Sequence, residues 1–294
     1  MGRTIARPIR TMSTHDESLC SRDYTRLCDL IYHEAGIALG AGKKTMLEVR
    51  VKRRLKDLNL SSYSQYCDYL FAGRAPKDEI VQLIDVVTTN KTDFFREPRH
   101  FDFLVDRVLP QLTNGNGETR PFLIWSAGCS TGEEPYTLAM ILSEYRMAHP
   151  GFRFRILATD ISTAVLAKAE VGIYTNEAVA PVQAALRMKY FLRSRDRASN
   201  RVRVSPELRR LVEFHRLNFM DADYGISERA DAIFCRNVII YFDRPTQQRI
   251  LRKLCDHLVP GGYLFVGHAE TLHDMNLPVT PVAPALYRRV DAAR

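Results

Sequence analysis

Hydrophobic positions in the first third of the chain recur at three- and four-residue spacing, the period of helices packed on one side. In "DYTRLCDLIYHEAG" (23–36), Tyr24, Leu27, Cys28, Leu30 and Ile31 form one apolar stripe, ended by Gly36. Met46, Val49 and Leu55 give the basic stretch 43–57 an apolar face and predict a second helix. Ser62 and Gln65 make a capping-box pair at the start of "YSQYCDYLFA", which Gly73 closes. Pro76 suits the first turn of a fourth helix with Ile80, Leu83, Ile84 and Val87 on one side. A small helical domain over 19–88 follows, after a mobile tail over 1–18 that lacks the apolar stretch of a secretory signal.

Beyond residue 120 the pattern alternates between strand and helix. "PFLIWSAG", "FRFRILATD", "ADAIFCRN" and "GGYLFVG" read as buried strands. "EEPYTLAMILSEYRM", "STAVLAKAEVG" (N-capped by Ser162) and "RPTQQRILRKLCDHL" read as the helices between them. That alternation predicts a parallel sheet covered by helices on both faces, within a domain over 89–294. The segment 173–215 breaks the rhythm with a helix-like "PVQAALRMKYFL" and two short runs, "RVRV" and "LVEFHRLN". It reads as an inserted small antiparallel sheet.

Composition narrows the class. The 294 residues are 46% hydrophobic and 26% charged, as in a globular protein with a substantial core. No apolar run approaches the roughly 20 residues of a membrane helix. The six cysteines show no metal-ligand spacing, so no metal is expected and the thiols suit a reducing cytoplasm. The net charge of +8 points to an acidic partner: nucleic acid, a membrane surface or an acidic protein. Basic residues concentrate at 43–57 (seven against two acids) and 187–210 (nine against two), each of which also reads as a solvated face.

The candidate chemistry begins at "SAGCSTGEEPY" (126–136), where Gly128 and Gly132 frame the turn between the first strand and its helix. A phosphate-binding loop would place Lys after the last glycine, but here Glu133 and Glu134 follow and would repel phosphate. The GxGxxG dinucleotide pattern is absent as well. S-adenosylmethionine carries a sulfonium and an ammonium group and no phosphate, so it suits an acidic turn. Asp160, closing the second strand, is placed to accept from ribose hydroxyls, though it also reads as a helix N-terminal acid. "TTNKTDFFREP" (88–98), "RLNFMD" (216–221) and "FCRNVIIYF" (234–242) bring Asn90, Thr92, Arg96, Asn218, Arg236, Asn237 and Tyr241 to strand ends or connections. Each alone reads as a structural turn; together they read as the rim of a site.

On "TTNKTDFFRE", "WSAGCSTGEEPY", "ATDI", "AVLAKAEVGIY" and "DAIFCRNVIIYFD", in this order, the chain resembles the chemotaxis receptor methyltransferases (CheR type), which esterify glutamates of bacterial chemoreceptors. The resemblance implies an α/β S-adenosylmethionine-dependent methyltransferase fold. It has a Rossmann-like, mostly parallel seven-stranded sheet, a small all-α N-terminal domain and an inserted small antiparallel β subdomain. It implies cofactor contacts at Asn90, Thr92, Arg96, Gly128, Glu134, Asp160, Asn218, Phe219, Asn237 and Val238, with Arg96 and Tyr241 bordering the transfer site. It also implies a Glu-rich helical receptor partner, which Arg50, Lys52, Arg53, Arg54 and Lys56 could dock. In some members the inserted sheet binds a receptor's flexible C-terminal tail. Turn residues Gly128 and Cys129, and "GHAE" (267–270) in place of the more usual "GHSE", are small departures. Two other readings stay open: a methyltransferase of another acceptor such as RNA, and a donor-sensing signalling module. The first lacks the Asn/Asp-Pro-Pro motif after the third strand.

Overall fold

The computed structural model describes residues 18–73, 75–113, 120–196 and 198–290. The tail expected over 1–18 lies outside them except for Ser18. Two compact units emerge, one formed by residues up to His33 with Leu39–Val87, the other by Glu34–Ala38 with Thr88 onward. Among the described residues no helix is long and apolar enough to cross a membrane.

The smaller unit holds α1 (Ser21–Ala35, whose last turn belongs to the larger unit), α2 (Lys44–Asp57), α3 (Tyr63–Phe71) and α4 (Lys77–Val87). Ser62 caps α3 by accepting the Gln65 N–H, while the Gln65 side chain returns to the N–H of Ser61 rather than of Ser62. Leu27, Ile31, Leu47, Val51, Tyr66 and Leu83 are fully buried and make its core. Within that core lies a charge pair. Arg54 donates from Nε and Nη2 to the two Glu79 carboxylate oxygens at 3.0 and 2.7 Å, and Tyr66 donates to the same Glu79 at 2.8 Å.

This pair corrects one docking expectation. Arg54 is 8% exposed and bound to Glu79 inside the unit, so it cannot meet a partner. Arg50 is half-buried and donates to the Val87 carbonyl. Of the five α2 cations expected to dock a partner, Lys52, Arg53 and Lys56 are exposed.

The larger unit is built on a seven-stranded sheet in the order β6-β2-β1-β7-β8-β10-β9. These strands are β1 (Phe122–Ala127), β2 (Phe154–Asp160), β6 (Val212–Arg216), β7 (Ala230–Cys235), β8 (Leu258–Val266), β9 (Val279–Ala283) and β10 (Leu286–Arg289). The first five are parallel, and β10 and β9 close one edge antiparallel. Alternate residues feed two cores. Phe122, Ile124, Phe234, Tyr263 and Phe265 pack on one face under α7 (Glu133–Ala148); Leu123, Trp125, Ile233, Leu264 and Val266 pack on the other under α9 (Arg244–Asp256). Every residue of β1 and β7 is buried, as central parallel strands require.

The inserted sheet is smaller than expected. β3 (Ile173–Thr175), β5 (Arg201–Val204) and β4 (Phe191–Arg193) form it, in the order β3-β5-β4. "LVEFH", assigned to it from sequence, instead supplies β6, pairing in parallel with β2 from Ile156–Val212 to Asp160–Arg216. The polar alternation Glu213, His215 and Arg216 belongs to a sheet edge with one wet face, which mimics a hairpin strand in sequence. Residues 99–113 form a further helical stretch, with a π-helical turn over Leu104–Val108 between α5 (Arg99–Phe103) and α6 (Leu109–Thr113).

Removing one partner of a buried ion pair strands the other, at a cost of about 3–5 kcal/mol. Arg54→Ala is therefore expected to lower the urea midpoint of the chain sharply, and Lys52→Ala to leave it nearly unchanged. Circular dichroism of the two variants against the parent checks this.

Candidate functional site

The strand order reverses between β1 and β7, and at such a switch point the carboxyl ends of the strands diverge to leave a crevice. The turn after β1 forms one wall. Gly128 (φ +91°) and Gly132 (φ +97°) take left-handed conformations that only glycine adopts without strain. Their replacement is barred twice, since a Cβ on Gly128 would stand 2.5 Å from Val238 Cγ2 in the turn after β7. The N–H groups of Gly128 and Cys129 donate to the Thr159 carbonyl at 2.8 and 2.9 Å, tying the turn to β2. Asp160 completes that tie. Its Oδ2 accepts from the Ser130 N–H at 2.8 Å and its Oδ1 from the Ser162 N–H at 3.0 Å, where α8 (Thr163–Val171) begins. Both Asp160 carboxylate oxygens thus accept from backbone N–H groups, one of them at the start of α8 as the helix-end reading expects.

Cys129 lies buried in this turn. Burial, with the Asp160 and Glu134 carboxylates beside it, pushes the thiol pKa well above its ordinary value.

The two glutamates that follow Gly132 differ in role. Glu133 is buried and accepts from the Thr131 hydroxyl at 2.6 Å. Glu134 accepts from the Ser126 hydroxyl at 2.7 Å and pairs with Arg236 Nη1 at 3.3 Å. Burial raises the Glu134 pKa, and Arg236 acts against that rise.

Arg236 begins the opposite wall. Its guanidinium is 2% exposed, lies 5.3 Å from the Phe101 ring centre, and reaches Glu97 as well as Glu134. It also donates to the Arg96 carbonyl, which fixes the 88–98 segment to the end of β7. Burial alone would raise the Glu97 carboxyl, but Arg236 and the His268 N–H hold it below the usual range. Next in the chain, Asn237 sits at φ +58° with its Oδ1 buried and lacking a hydrogen-bond partner. Glu270 sets this turn. Its carboxylate accepts from the N–H groups of Asn237, Val238, Ile239 and Gly267 at 2.8, 2.8, 2.9 and 2.5 Å. Burial drives its pKa up while these four donors oppose the rise.

The 88–98 segment is anchored by Phe94, which is 1% exposed and meets Tyr174 and Phe191 edge-on. Asn90 bonds the Thr88 hydroxyl, and its carbonyl accepts from Ser130 in the glycine turn at 2.9 Å. Arg96 donates to the Lys91 carbonyl at 3.1 Å, and Thr92 is half-buried on the same segment. After β6, Leu217 donates to the Asp160 carbonyl, so Asn218 and the buried Phe219 follow beside the end of β2. The Asn218 amide is engaged by protein: it donates to the Glu34 carbonyl at 2.6 Å and accepts from the Met220 N–H. Tyr241 is half-buried, and its carbonyl accepts from the Ala38 N–H at 2.9 Å.

Hydrogen bonds and packing thus link Asn90, Arg96, Gly128, Glu134, Asp160, Asn237 and Val238 into one assembly. Sequence reading placed Arg236 on the rim of the site without naming its partners, and gave Glu97 and Glu270 no role, although the last ends "GHAE". Spacing gave no sign that both acids act through other residues.

Residues 90–284 match the CheR methyltransferase SAM-binding domain, and residues 22–88 match the CheR methyltransferase all-alpha domain. The chain belongs to the CheR methyltransferase family. The chemotaxis protein methyltransferase of Borreliella burgdorferi is 39% identical over 271 residues, 91% of this chain and 94% of that protein. That of Escherichia coli is 39% identical over 270 residues, 92% of this chain and 91% of that protein. This CheR-family chain is therefore an S-adenosylmethionine-dependent methyltransferase. Its residues fit that cofactor: a turn drawn tight by Gly128, acids where phosphate would be repelled, and a buried Asn237 oxygen still lacking a donor.

Glu270→Gln replaces an acceptor of four N–H groups with a neutral amide whose own NH2 cannot accept. At about 1–3 kcal/mol per stranded donor, S-adenosylmethionine should bind at least tenfold more weakly by calorimetry.

Proposed function

We propose that the protein transfers the methyl group of S-adenosylmethionine to glutamate carboxylates in the cytoplasmic helical region of chemotaxis receptors. The names of the relatives above support receptors as the substrate. The reading rests most on the turn after β1, which ends in Glu133 and Glu134 and is braced by Asp160 and Arg236. Such a turn favours a cationic, phosphate-free donor.

When bound, the cofactor supplies an activated methyl group on a sulfonium. The acceptor needs little preparation, because a glutamate is ionised at neutral pH with a reference pKa of about 4.3. A general base is therefore unnecessary. What remains is to desolvate and aim the acceptor carboxylate, and positioning of this kind is worth about 7–11 kcal/mol. Arg96, on the segment fixed by Arg236, steers a carboxylate into line. Tyr241, beyond the Glu270-held turn, offers a hydroxyl to fix its orientation. Lys52, Arg53 and Lys56 form the exposed cationic face of α2 that docks a Glu-rich receptor helix. The small sheet, with Leu192 exposed on β4, takes a receptor's C-terminal tail.

The deciding experiment incubates the protein with methyl-labelled S-adenosylmethionine and receptor-bearing membranes, then treats the labelled protein with mild alkali. Volatile labelled methanol is the expected outcome, and alkali-stable label would rule out the ester. Arg96→Ala should lower kcat/KM by about a hundredfold or more, the scale at which lost positioning is felt. Joint charge reversal of Lys52, Arg53 and Lys56 should slow receptor methylation and leave S-adenosylmethionine affinity intact.

A further inference from the structure

Beside the described site lies a cluster with no role so far. His100, on α5, is 1% exposed, and neither of its ring nitrogens has a hydrogen-bond partner. Glu97 Oε2 stands 3.4 Å from His100 Nδ1 and is likewise buried without a hydrogen bond. His268, just beyond β8, is exposed; its ring centre is 5.0 Å from that of His100, and its backbone N–H donates to Glu97 Oε1. One ligand atom from each of these three residues lies within 4.8 Å of the others.

We propose that Glu97, His100 and His268 form a binding site for a divalent transition-metal cation of the zinc class. A buried imidazole with both nitrogens unpartnered forgoes a hydrogen bond at each, which native interiors rarely leave unmade. A cation would engage the lone pair of the unprotonated ring nitrogen. Two imidazoles and one carboxylate select zinc, cobalt or nickel over magnesium or calcium, which prefer all-oxygen shells. Three protein ligands with an open fourth position is a regular zinc arrangement, with bonds of about 2.0–2.2 Å. Ligand atoms must then draw to about 3.3 Å apart, as those bond lengths set at tetrahedral angles. The exposed His268 side chain can rotate to provide most of that closure.

Arg236 tempers the affinity, because its Nη2 lies 3.4 Å from the same Glu97 oxygen. The bound cation would compete with Arg236 for Glu97 and leave the guanidinium to Glu134. It would also clamp the 88–98 segment to the end of β8, joining two walls of the methyl-transfer site. No spacing motif announces such a cluster, since His268 lies far along the chain from the Glu97–His100 pair.

The test titrates the untagged, metal-free full-length chain with zinc chloride by calorimetry, and with cobalt chloride while following its visible absorption. One equivalent of each metal is expected, with cobalt giving d–d bands of a nitrogen- and oxygen-ligated ion. His268→Ala removes an exposed ligand and should preserve the fold, as circular dichroism would verify. It should weaken zinc binding at least tenfold and abolish the cobalt bands. Absence of stoichiometric binding by the parent chain would overturn the proposal. So would undiminished binding by His268→Ala, which would place the cation on other histidines or cysteines.

Discussion

A guanidinium buried among aromatic rings must keep counter-ions close, and Arg236 keeps two. It lies against the Phe101 ring and near Phe234, whose own ring stacks on Phe265 at 4.1 Å. Glu134 from the start of α7 and Glu97 from the 88–98 segment supply the negative charge. Desolvating such ions is costly unless geometry and hydrogen bonds compensate, so each partner fixes the others. The Arg96 carbonyl adds a third acceptor. One side chain at the end of β7 thereby sets the start of α7 and the segment carrying Asn90, Thr92 and Arg96. Much of the site's shape depends on this arrangement.

Glu270 does for the backbone what Arg236 does for side chains. Four N–H groups converging on a single carboxylate hold a left-handed Asn237 in place, a conformation that costs of order 1 kcal/mol or more by itself. Gly267 must lack a side chain, because a Cβ there would run into the Asn237 amide. Val238, held by the same carboxylate, then packs where Gly128 leaves room. The two turns at the switch point are thus fitted to one another by the protein's own groups.

Elements with strong periodicity were legible in the sequence. The four helices of the small unit, the central strands and the caps at Ser62 and Ser162 all follow from local patterns. The glycine turn and its acids excluded phosphate ligands on charge alone. Three things were not legible, each for a physical reason. The edge strand β6 has one wet face and reads like a hairpin. Arg54 lies in a run of cations, and nothing local tells that Glu79, on another helix, draws it inward. Arg236, Glu97 and Glu270 act at long sequence range, where no spacing rule applies.

The thiol in the glycine turn carries a further consequence. A sulfonium methyl donor is an alkylating agent, and a thiolate is a far better nucleophile than a thiol. Cys129 sits in the turn proposed for that donor, and burial with two neighbouring carboxylates pushes its thiol pKa well above the ordinary value. A higher thiol pKa means a smaller thiolate fraction in that turn. On the proposed assignment of that turn to the donor, the acids that disfavour a phosphate also disfavour the thiolate that a methyl donor would alkylate.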